Sequence, residues 1–276
     1  MRVIFLAIGC AATLLATLYA KWLSVEHDVQ GKIALILVDV QRDFMDDGPV
    51  PVRGALALLP IWNELLELAG GDGPIDHAIA TADWHPKDHI SFVSSHKGVQ
   101  LGDQIHQCAA SGQAGAGGCH NIILFNSHCV AGSLGAQSPD GLATDRLDHT
   151  VRKGTLPDVE SYSGLFDLGH THPTGLVELL RARRVTTLVV AGVATDYCVL
   201  YTVLDALEEG FQVFLVLDGC AGISAEAVHA ALDRMQAAGA VLVSLRGREG
   251  DHGAPSLLTE LERARGKVHP GSQREL

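Results

Sequence analysis

The stretch VTTLVVAGVATDYCVLYTVLDALEEG, residues 185–210, indicates the fold of the chain. Its first part is a mostly apolar run, as expected of a parallel strand that is buried on both faces. The residues from 196 onward have helical spacing and end at Gly210. A buried strand that passes directly into a helix is the repeating unit of α/β proteins. Cys198 lies where the strand gives way to the helix, and it is either a small core residue or a nucleophile.

Strands and helices alternate along the rest of the chain. Besides the pair above, the pattern predicts strands at 32–40, 77–84, 211–218 and 240–245 and helices at 55–69, 174–184 and 224–239. Ser224 is the predicted N-cap of the last helix, with Glu226 in its first turn. This order predicts an α/β fold of three layers, α/β/α, with a mostly parallel central sheet in one domain over residues 31–250. Functional residues are then expected just after strands.

Both ends of the chain lie outside the predicted domain. Within residues 1–30, Arg2 is followed by an uncharged apolar stretch that reaches Lys21, which predicts a signal peptide or a membrane anchor through residues 3–20 and then a linker. A hydrophobic helix packed on the domain is the alternative. Residues 251–276 form a predicted C-terminal tail. We therefore expect an exported or membrane-tethered protein, with a cytoplasmic one as the alternative.

Composition bounds the class of protein. The chain has 276 residues, of which 47% are hydrophobic and 19% charged, so it can fill a sizeable core. A formal charge of −12 and a pI near 5.5 argue against a nucleic-acid partner, which needs a clustered basic surface. Six cysteines without a CxxC pair do not make a disulfide framework in a chain of this length. The sequence leaves the oligomeric state open, and a homo-oligomer is compatible with it.

Three polar side chains are candidates for catalysis because each follows a strand or an apolar run: Asp39, Lys153 and Cys198. A helix N-terminus favours the thiolate of a cysteine in its first turn, and the amides nearby can receive an oxyanion. Asp39 would act as the base for the cysteine, and Lys153 would hold the charge state of a carboxylate. The alternatives are that Asp39 is a turn residue, Lys153 a surface lysine and Cys198 a core residue.

A second polar group points to a divalent metal ion. Asp83 and His85 are two residues apart at the end of a predicted strand, so on extended backbone they point to the same side. His128 would complete a set of one carboxylate and two imidazoles, which suits Zn, Fe or Mn. His89 and His96 are candidate additional ligands. Surface histidines in a histidine-rich chain are the alternative interpretation.

Taken together, these segments resemble the nicotinamidase/pyrazinamidase family of the isochorismatase-like cysteine hydrolases. Five motifs occur in the family's order and approximate spacing: VDVQRDF, DWHPKDHISF, SHCV, RKGTLPDVESYSGLFD and GVATDYCV. The resemblance covers about residues 32–245. It implies a triad and a metal site: the triad is Asp39, Lys153 and Cys198, and the ligands are Asp83, His85 and His128, with His89 matching an additional ligand of some members.

The same resemblance implies a substrate pocket and an oxyanion hole. Phe44 and Tyr162 match aromatic residues that line the pocket, and Phe125 stands where some members carry tryptophan. The peptide bond before Ala194 matches a non-proline cis bond of the family, which costs about 3 kcal/mol and marks a strained site. The amides of Ala194 and Cys198 match the oxyanion hole.

The implied reaction is the hydrolysis of nicotinamide to nicotinate and ammonia through a thioester on Cys198, with the metal ion positioning the ring nitrogen of the substrate. The nearest alternative is an amidase of the same superfamily that acts on another small amide. An isochorismatase is less favoured, since those enzymes do not use the nucleophilic cysteine. A non-catalytic, metal-binding tethered protein is the alternative from a different class.

Two features depart from the family. The stretch from His96 to Asn126 is longer than in compact members and contains Cys108 and Cys119, which would pair in an oxidising compartment. The hydrophobic N-terminus is the second feature, since familiar members are soluble intracellular enzymes. Export would suggest that the enzyme scavenges external nicotinamide.

Overall fold

Parallel strands alternate with helices in the protein, whose structure is a computed structural model that describes residues 31–107, 119–245 and 254–266. The strands are β1 Lys32–Val38, β2 His77–Asp83, β3 Gln104–Gln107, β4 His120–Ile123, β5 His149–Lys153, β6 Val185–Val193, β7 Gln212–Ala221 and β8 Val241–Val243. The helices are α1 Leu59–Glu67, α2 Leu176–Ala182, α3 Leu200–Glu208, α4 Ala225–Ala238 and α5 Leu257–Ala264, and a single π-helical turn, Thr195–Val199, precedes α3.

Six strands form one sheet in the order β5-β2-β1-β6-β7-β8, and every neighbouring pair in it is parallel. Alternate residues of β1 point to opposite faces, so Leu35 and Leu37 enter one core while Ile36 enters the other. The first core includes Trp62 of α1 and residues of α5, and the second includes residues of α2, α3 and α4, among them Val203. The predicted three-layer α/β/α fold with a mostly parallel sheet is confirmed.

The structure contains elements that the sequence pattern does not predict. Strand β5 is one of the two edge strands of the sheet, and β3 and β4 form a separate antiparallel pair. Helix α5 lies within the predicted tail 251–276, and its Leu257 and Leu261, one helical turn apart, are fully buried in the first core. The packed part of the chain therefore extends beyond residue 250. Ser224 caps α4 as predicted, since its hydroxyl accepts a hydrogen bond from Ala227 N–H at 3.4 Å.

The predicted N-terminal signal or anchor lies outside the described residues, as does Cys108. Among the residues that are described, no helix is long and apolar enough to cross a membrane. Cys119 is disulfide-bonded, but its pairing with Cys108 stays a prediction. Export or tethering through residues 3–20 and a homo-oligomer stay predictions as well.

Replacing Gly192 by alanine is expected to lower the free energy of unfolding by about 3 kcal/mol or more. Gly192 has a φ of +129°, and a Cβ there would lie 2.1 Å from the carbonyl oxygen of Val38 on the neighbouring strand. Gly210→Ala is the matched control, because its φ is +86° but no atom lies within 4 Å of the added Cβ. We expect that control to lose only about 1–2 kcal/mol. Urea denaturation followed by circular dichroism measures both losses, and equal losses would contradict the close approach of β6 to β1.

Candidate active site

Four candidate residues meet at the carboxyl edge of the sheet because their strands are neighbours. Asp83 and Lys153 are the last residues of β2 and β5 and pair with each other across these strands. Asp39 directly follows β1, and Cys198 lies in the π-helical turn that follows β6. The sheet order β5-β2-β1-β6 thus brings together residues that are far apart in the sequence. Ligands of such sheets bind at this edge.

Lys153 is the centre of this group. Its side chain is fully buried, and its Nζ lies 2.9 Å from Asp39 Oδ2 and 2.5 Å from Asp83 Oδ1. The same Nζ donates to the carbonyl oxygen of Ser161 at 3.0 Å and to Cys198 Sγ at 3.4 Å. Burial alone would lower the pKa of this lysine, but the two carboxylates outweigh it and raise the pKa well above its usual range. Lys153 is therefore a fixed positive charge between the two aspartates and the thiol.

Asp39 is held in a defined orientation beneath the cysteine. It is fully buried, and its Oδ1 accepts a hydrogen bond from the hydroxyl of Thr81 at 2.6 Å. Its other oxygen, Oδ2, has no aligned hydrogen-bond donor among the described residues, although Lys153 Nζ is near. Burial raises the pKa of Asp39, and the nearby carboxylate of Asp83 adds to this rise, while Lys153 opposes it. Such a carboxylate is a competent proton acceptor for a neighbouring thiol.

The surroundings of Cys198 favour the protonated form of its thiol. Burial raises the pKa of the thiol well above its usual value, the positive charge of Lys153 opposes this, and Asp39 adds to the rise. The helix N-terminus by itself predicts the opposite direction, so burial outweighs the helix dipole here. Oxygens of Asp39 and Asp83 and the Sγ of Cys198 all lie within 4.8 Å of one another. A thiol this close to a carboxylate can be activated by transfer of its proton.

Asp83, His85 and His128 form a second buried group beside the first. Their candidate ligand atoms lie within 4.8 Å of one another, with Asp83 Oδ2 3.5 Å from His85 Nε2 and 3.9 Å from His128 Nε2. Asp83 thus presents Oδ1 to Lys153 and Oδ2 to the two histidines. One carboxylate and two imidazoles are a donor set that suits Zn, Fe or Mn.

Backbone carbonyls orient both imidazoles for ligation. His85 Nδ1 lies 2.8 Å from the carbonyl oxygen of Gly154, and His128 Nδ1 lies 2.8 Å from that of Asn126. Because a carbonyl only accepts, each Nδ1 carries a hydrogen, and each Nε2 faces the carboxylate of Asp83, where it can bind a metal ion. Burial lowers the pKa of His128 to about 4, which keeps that ring neutral. The residues present therefore fit a divalent metal ion.

His89 lies behind His85 and outside that group of three. Its ring stacks on the ring of His85 with centroids 4.0 Å apart. Its Nε2 donates to the carbonyl oxygen of Val159 at 3.1 Å, which leaves Nδ1 to accept from the hydroxyl of Ser91 at 2.8 Å. Both ring nitrogens of His89 thus have protein partners, while its ligand atom also lies within 4.8 Å of those of His85 and Glu160, so its role as an additional ligand stays a prediction.

A cavity opens above the thiol and is lined mainly by apolar side chains. The residues predicted for the pocket, the oxyanion hole and the metal all border it except His89; together they are Phe44, Phe125, Tyr162, Ala194, Cys198, Asp83, His85 and His128. Sequence reasoning misses four further lining residues, namely Val50, Glu160, Tyr197 and Ile223. Tyr197 directly precedes the cysteine and meets Phe125 edge-on at 5.6 Å. A small flat aromatic molecule suits walls of this kind.

The predicted cis bond is present between Val193 and Ala194. It directly precedes the π-helical turn that carries Cys198, and the carbonyl of Ala194 accepts hydrogen bonds from the N–H groups of Tyr197 and Val199. Both residues predicted for the oxyanion hole, Ala194 and Cys198, border the same cavity. Their amides stay the predicted donors to the charge of a carbonyl that the thiol attacks.

Comparison with known proteins finds the same family that the motifs indicate. The model of the isochorismatase domain matches residues 33–246. The nicotinamidase of Escherichia coli is 37% identical over 225 residues, which cover 80% of this chain and 98% of that protein. A crystal structure of the yeast nicotinamidase bound to the inhibitor nicotinaldehyde superposes with a TM-score of 0.71 at 28% identity, over 77% of this chain and 99% of that one. The structure of the pyrazinamidase of Pyrococcus horikoshii in complex with zinc superposes with a TM-score of 0.60 at 34% identity. The match covers 77% of this chain and 99% of that one.

Proposed function

We propose that this chain, which belongs to the isochorismatase family and within it to the nicotinamidases, hydrolyses nicotinamide to nicotinate and ammonia with Cys198 as its nucleophile. The single observation that carries the proposal is the position of Lys153 Nζ, which contacts the thiol and the carboxylates of Asp39 and Asp83 at once. A buried charge network of this kind has little value for stability, because burying the ions is costly. It is well suited to move one proton between the thiol and a carboxylate.

Acylation begins with the thiol proton. Asp39 accepts it at Oδ2, and the sulfur of Cys198 attacks the carboxamide carbon of nicotinamide. The amides of Ala194 and Cys198 donate to the oxyanion of the tetrahedral intermediate. Asp39 then returns the proton to the leaving nitrogen, so that ammonia departs and a thioester remains on the sulfur. Lys153 keeps its charge throughout and stabilises each anionic form beside it.

Deacylation uses the same groups in the reverse order. Asp39, again a carboxylate, accepts a proton from a water molecule that attacks the thioester carbon. The same two amides stabilise the second oxyanion. The carbon–sulfur bond breaks, nicotinate is released, and the proton returns to Cys198. One water is consumed, and the carboxyl proton of the product passes to the ammonia, so that nicotinate and ammonium are formed and Cys198 and Asp39 return to their resting forms.

Asp83, His85 and His128 would hold a divalent metal ion in this site. When bound, the ion would bind the ring nitrogen of nicotinamide and so fix the carboxamide relative to the sulfur. The side chains of Phe44 and Tyr197 would confine the flat ring of nicotinamide from its sides. The ring centroid of Phe44 lies 5.4 Å from that of His128. The zinc complex of the Pyrococcus horikoshii relative supports this assignment.

Removal of the metal ion is expected to affect nicotinamide much more than benzamide, which has the same carboxamide but no ring nitrogen. We expect kcat/KM for nicotinamide to fall about 10- to 100-fold after chelation, while the slower hydrolysis of benzamide changes little. Ammonia release measures both rates, and readdition of Zn²⁺, Mn²⁺ or Fe²⁺ should restore the first. Thermal unfolding of the chelated protein controls for loss of the fold. An equal loss for both amides would contradict a positioning role of the metal.

A further inference from the structure

The motif VDVQRDF contains one buried polar side chain to which the reaction assigns no role, Gln41. Its exposed fraction is 2%, although it carries a polar amide. It lies two residues after Asp39. The backbone leaves the sheet at Asp39, whose φ is +48°. Buried amides need hydrogen-bond partners, and the identity of these partners shows what the side chain holds in place.

The amide of Gln41 pairs with the backbone of Asp83 in the manner of a strand. Its Oε1 accepts from Asp83 N–H at 2.8 Å, and its Nε2 donates to the carbonyl oxygen of Asp83 at 2.8 Å. The backbone ladder between β1 and β2 extends to the pair Leu37 and Ala80. The side chain of Gln41 therefore continues the pairing of the two strands past the point where the backbone of β1 turns away.

A third hydrogen bond ties Gln41 to the loop that follows His128. Its Nε2 also donates to the carbonyl oxygen of Ala136 at 2.9 Å. The carbonyl oxygens on either side, of Gly135 and Gln137, accept from the backbone N–H groups of Asp43 and Arg42. Both N–H groups of the amide are thus used, which fixes its orientation.

We propose that Gln41 is a positioning residue that holds Asp83 in place for the metal ion and for Lys153. The backbone of Asp83 is held on its other side by β5, with which it pairs at Lys153. Its carboxylate must present one oxygen to Lys153 Nζ at 2.5 Å and the other to His85 Nε2 at 3.5 Å. That geometry depends on where the C-terminal end of β2 lies. If Gln41 did not hold this end, the contacts of the Asp83 carboxylate with Lys153 and His85 would both weaken. This inference rests on the proposed function, since it concerns the proposed metal site.

The test compares Gln41→Met with Asn63→Leu in the full chain. Methionine and leucine match the size of the amide side chains that they replace but form none of their hydrogen bonds. Asn63 is a matched control because its Nδ2 donates to Gly141 O at 2.8 Å and its Oδ1 accepts from Ala143 N–H at 2.9 Å, away from the described site. The dissociation constant for Zn²⁺ is measured by competition with a chromophoric chelator.

We expect Gln41→Met to weaken Zn²⁺ binding about 10- to 100-fold and Asn63→Leu to leave it within about twofold. In nicotinamide hydrolysis, the first variant should show a raised KM that excess Zn²⁺ lowers again, which a merely structural defect would not do. If Gln41→Met does not fold, Gln41→Asn keeps an amide that is too short to span both partners, and the same loss is expected. Wild-type affinity in a folded Gln41 variant would overturn the role of Gln41 alone, whereas a wild-type chain that binds no Zn²⁺ would overturn the proposed metal site as well.

Discussion

Replacing Cys198 by alanine is expected to lower kcat for nicotinamide by at least about 10⁴-fold. Its sulfur lies 3.4 Å from Lys153 Nζ and within 4.8 Å of a carboxylate oxygen of Asp39, so its loss removes the proposed nucleophile from its base. The substitution removes a nearly buried side chain without adding volume, so the fold should survive it. Release of ammonia from nicotinamide measures the loss, and Zn²⁺ binding shows that the site is otherwise intact.

Cys220→Ala is the matched control for this substitution. Cys220 is another free cysteine, on β7, where it packs against the core that contains Cys198, and burial raises the pKa of its thiol to about 12. It does not border the cavity. We expect this variant to retain the wild-type rate. A Cys198→Ala chain that still turns over nicotinamide at a comparable rate would show that the cysteine is a core residue and not the nucleophile.

Replacing Asp39 by asparagine is the second substitution with a large expected effect, a fall in kcat of about 10²- to 10⁴-fold. Asparagine has the same shape, and its oxygen can still accept the hydrogen bond that Thr81 donates at 2.6 Å. It cannot accept the thiol proton, however, and the pKa of the thiol would be the main obstacle to attack, since burial raises it. The contact of Lys153 with Asp83 remains, so the lysine keeps one counter-charge.

The control for Asp39→Asn is Asp218→Asn. Asp218 is an acid within β7, and its carboxylate accepts from Ser244 Oγ at 3.1 Å and Leu245 N–H at 2.9 Å, outside the cavity. We expect it to change the midpoint of thermal unfolding more than kcat. Equal kcat values for wild type and a folded Asp39→Asn variant would mean that another group takes the proton. Alkylation of Cys198 by iodoacetamide, slowed in Asp39→Asn, would trace the loss to the activation of the thiol.

Much of the fold can be predicted from hydrophobic pattern, because strands that are buried on both faces are continuous apolar runs. Strand β5 cannot, since it is an edge strand that exposes His149, Thr150 and Arg152 and buries Val151 and Lys153. The sequence alone does not distinguish a lysine that is buried between two carboxylates from a lysine on the surface. The hydrophobic pattern also fails to predict helix α5. Only two residues of this short polar segment, Leu257 and Leu261, enter the core, so the apolar signal is weak.

The candidate site can be predicted where a residue type itself carries chemistry. A cysteine, a pair such as Asp83 and His85, and a strand end are visible in the sequence, and the structure brings these residues to one edge of the sheet. Gln41 acts through backbone atoms of residues that are far along the chain, and no pattern of letters records those partners. The protonation of Cys198 also needs the structure, because it depends on burial as well as on position in the helix.

The most direct test of the central claim is to identify the residue that becomes acylated during turnover. The full chain is mixed with nicotinamide, quenched in acid before the first turnovers are complete, digested and mapped by mass spectrometry. The account predicts a nicotinoyl group on the peptide that contains Cys198, and no such group on the Cys198→Ala chain. A nicotinoyl group on a different residue, together with ammonia release by Cys198→Ala at the wild-type rate, would contradict it.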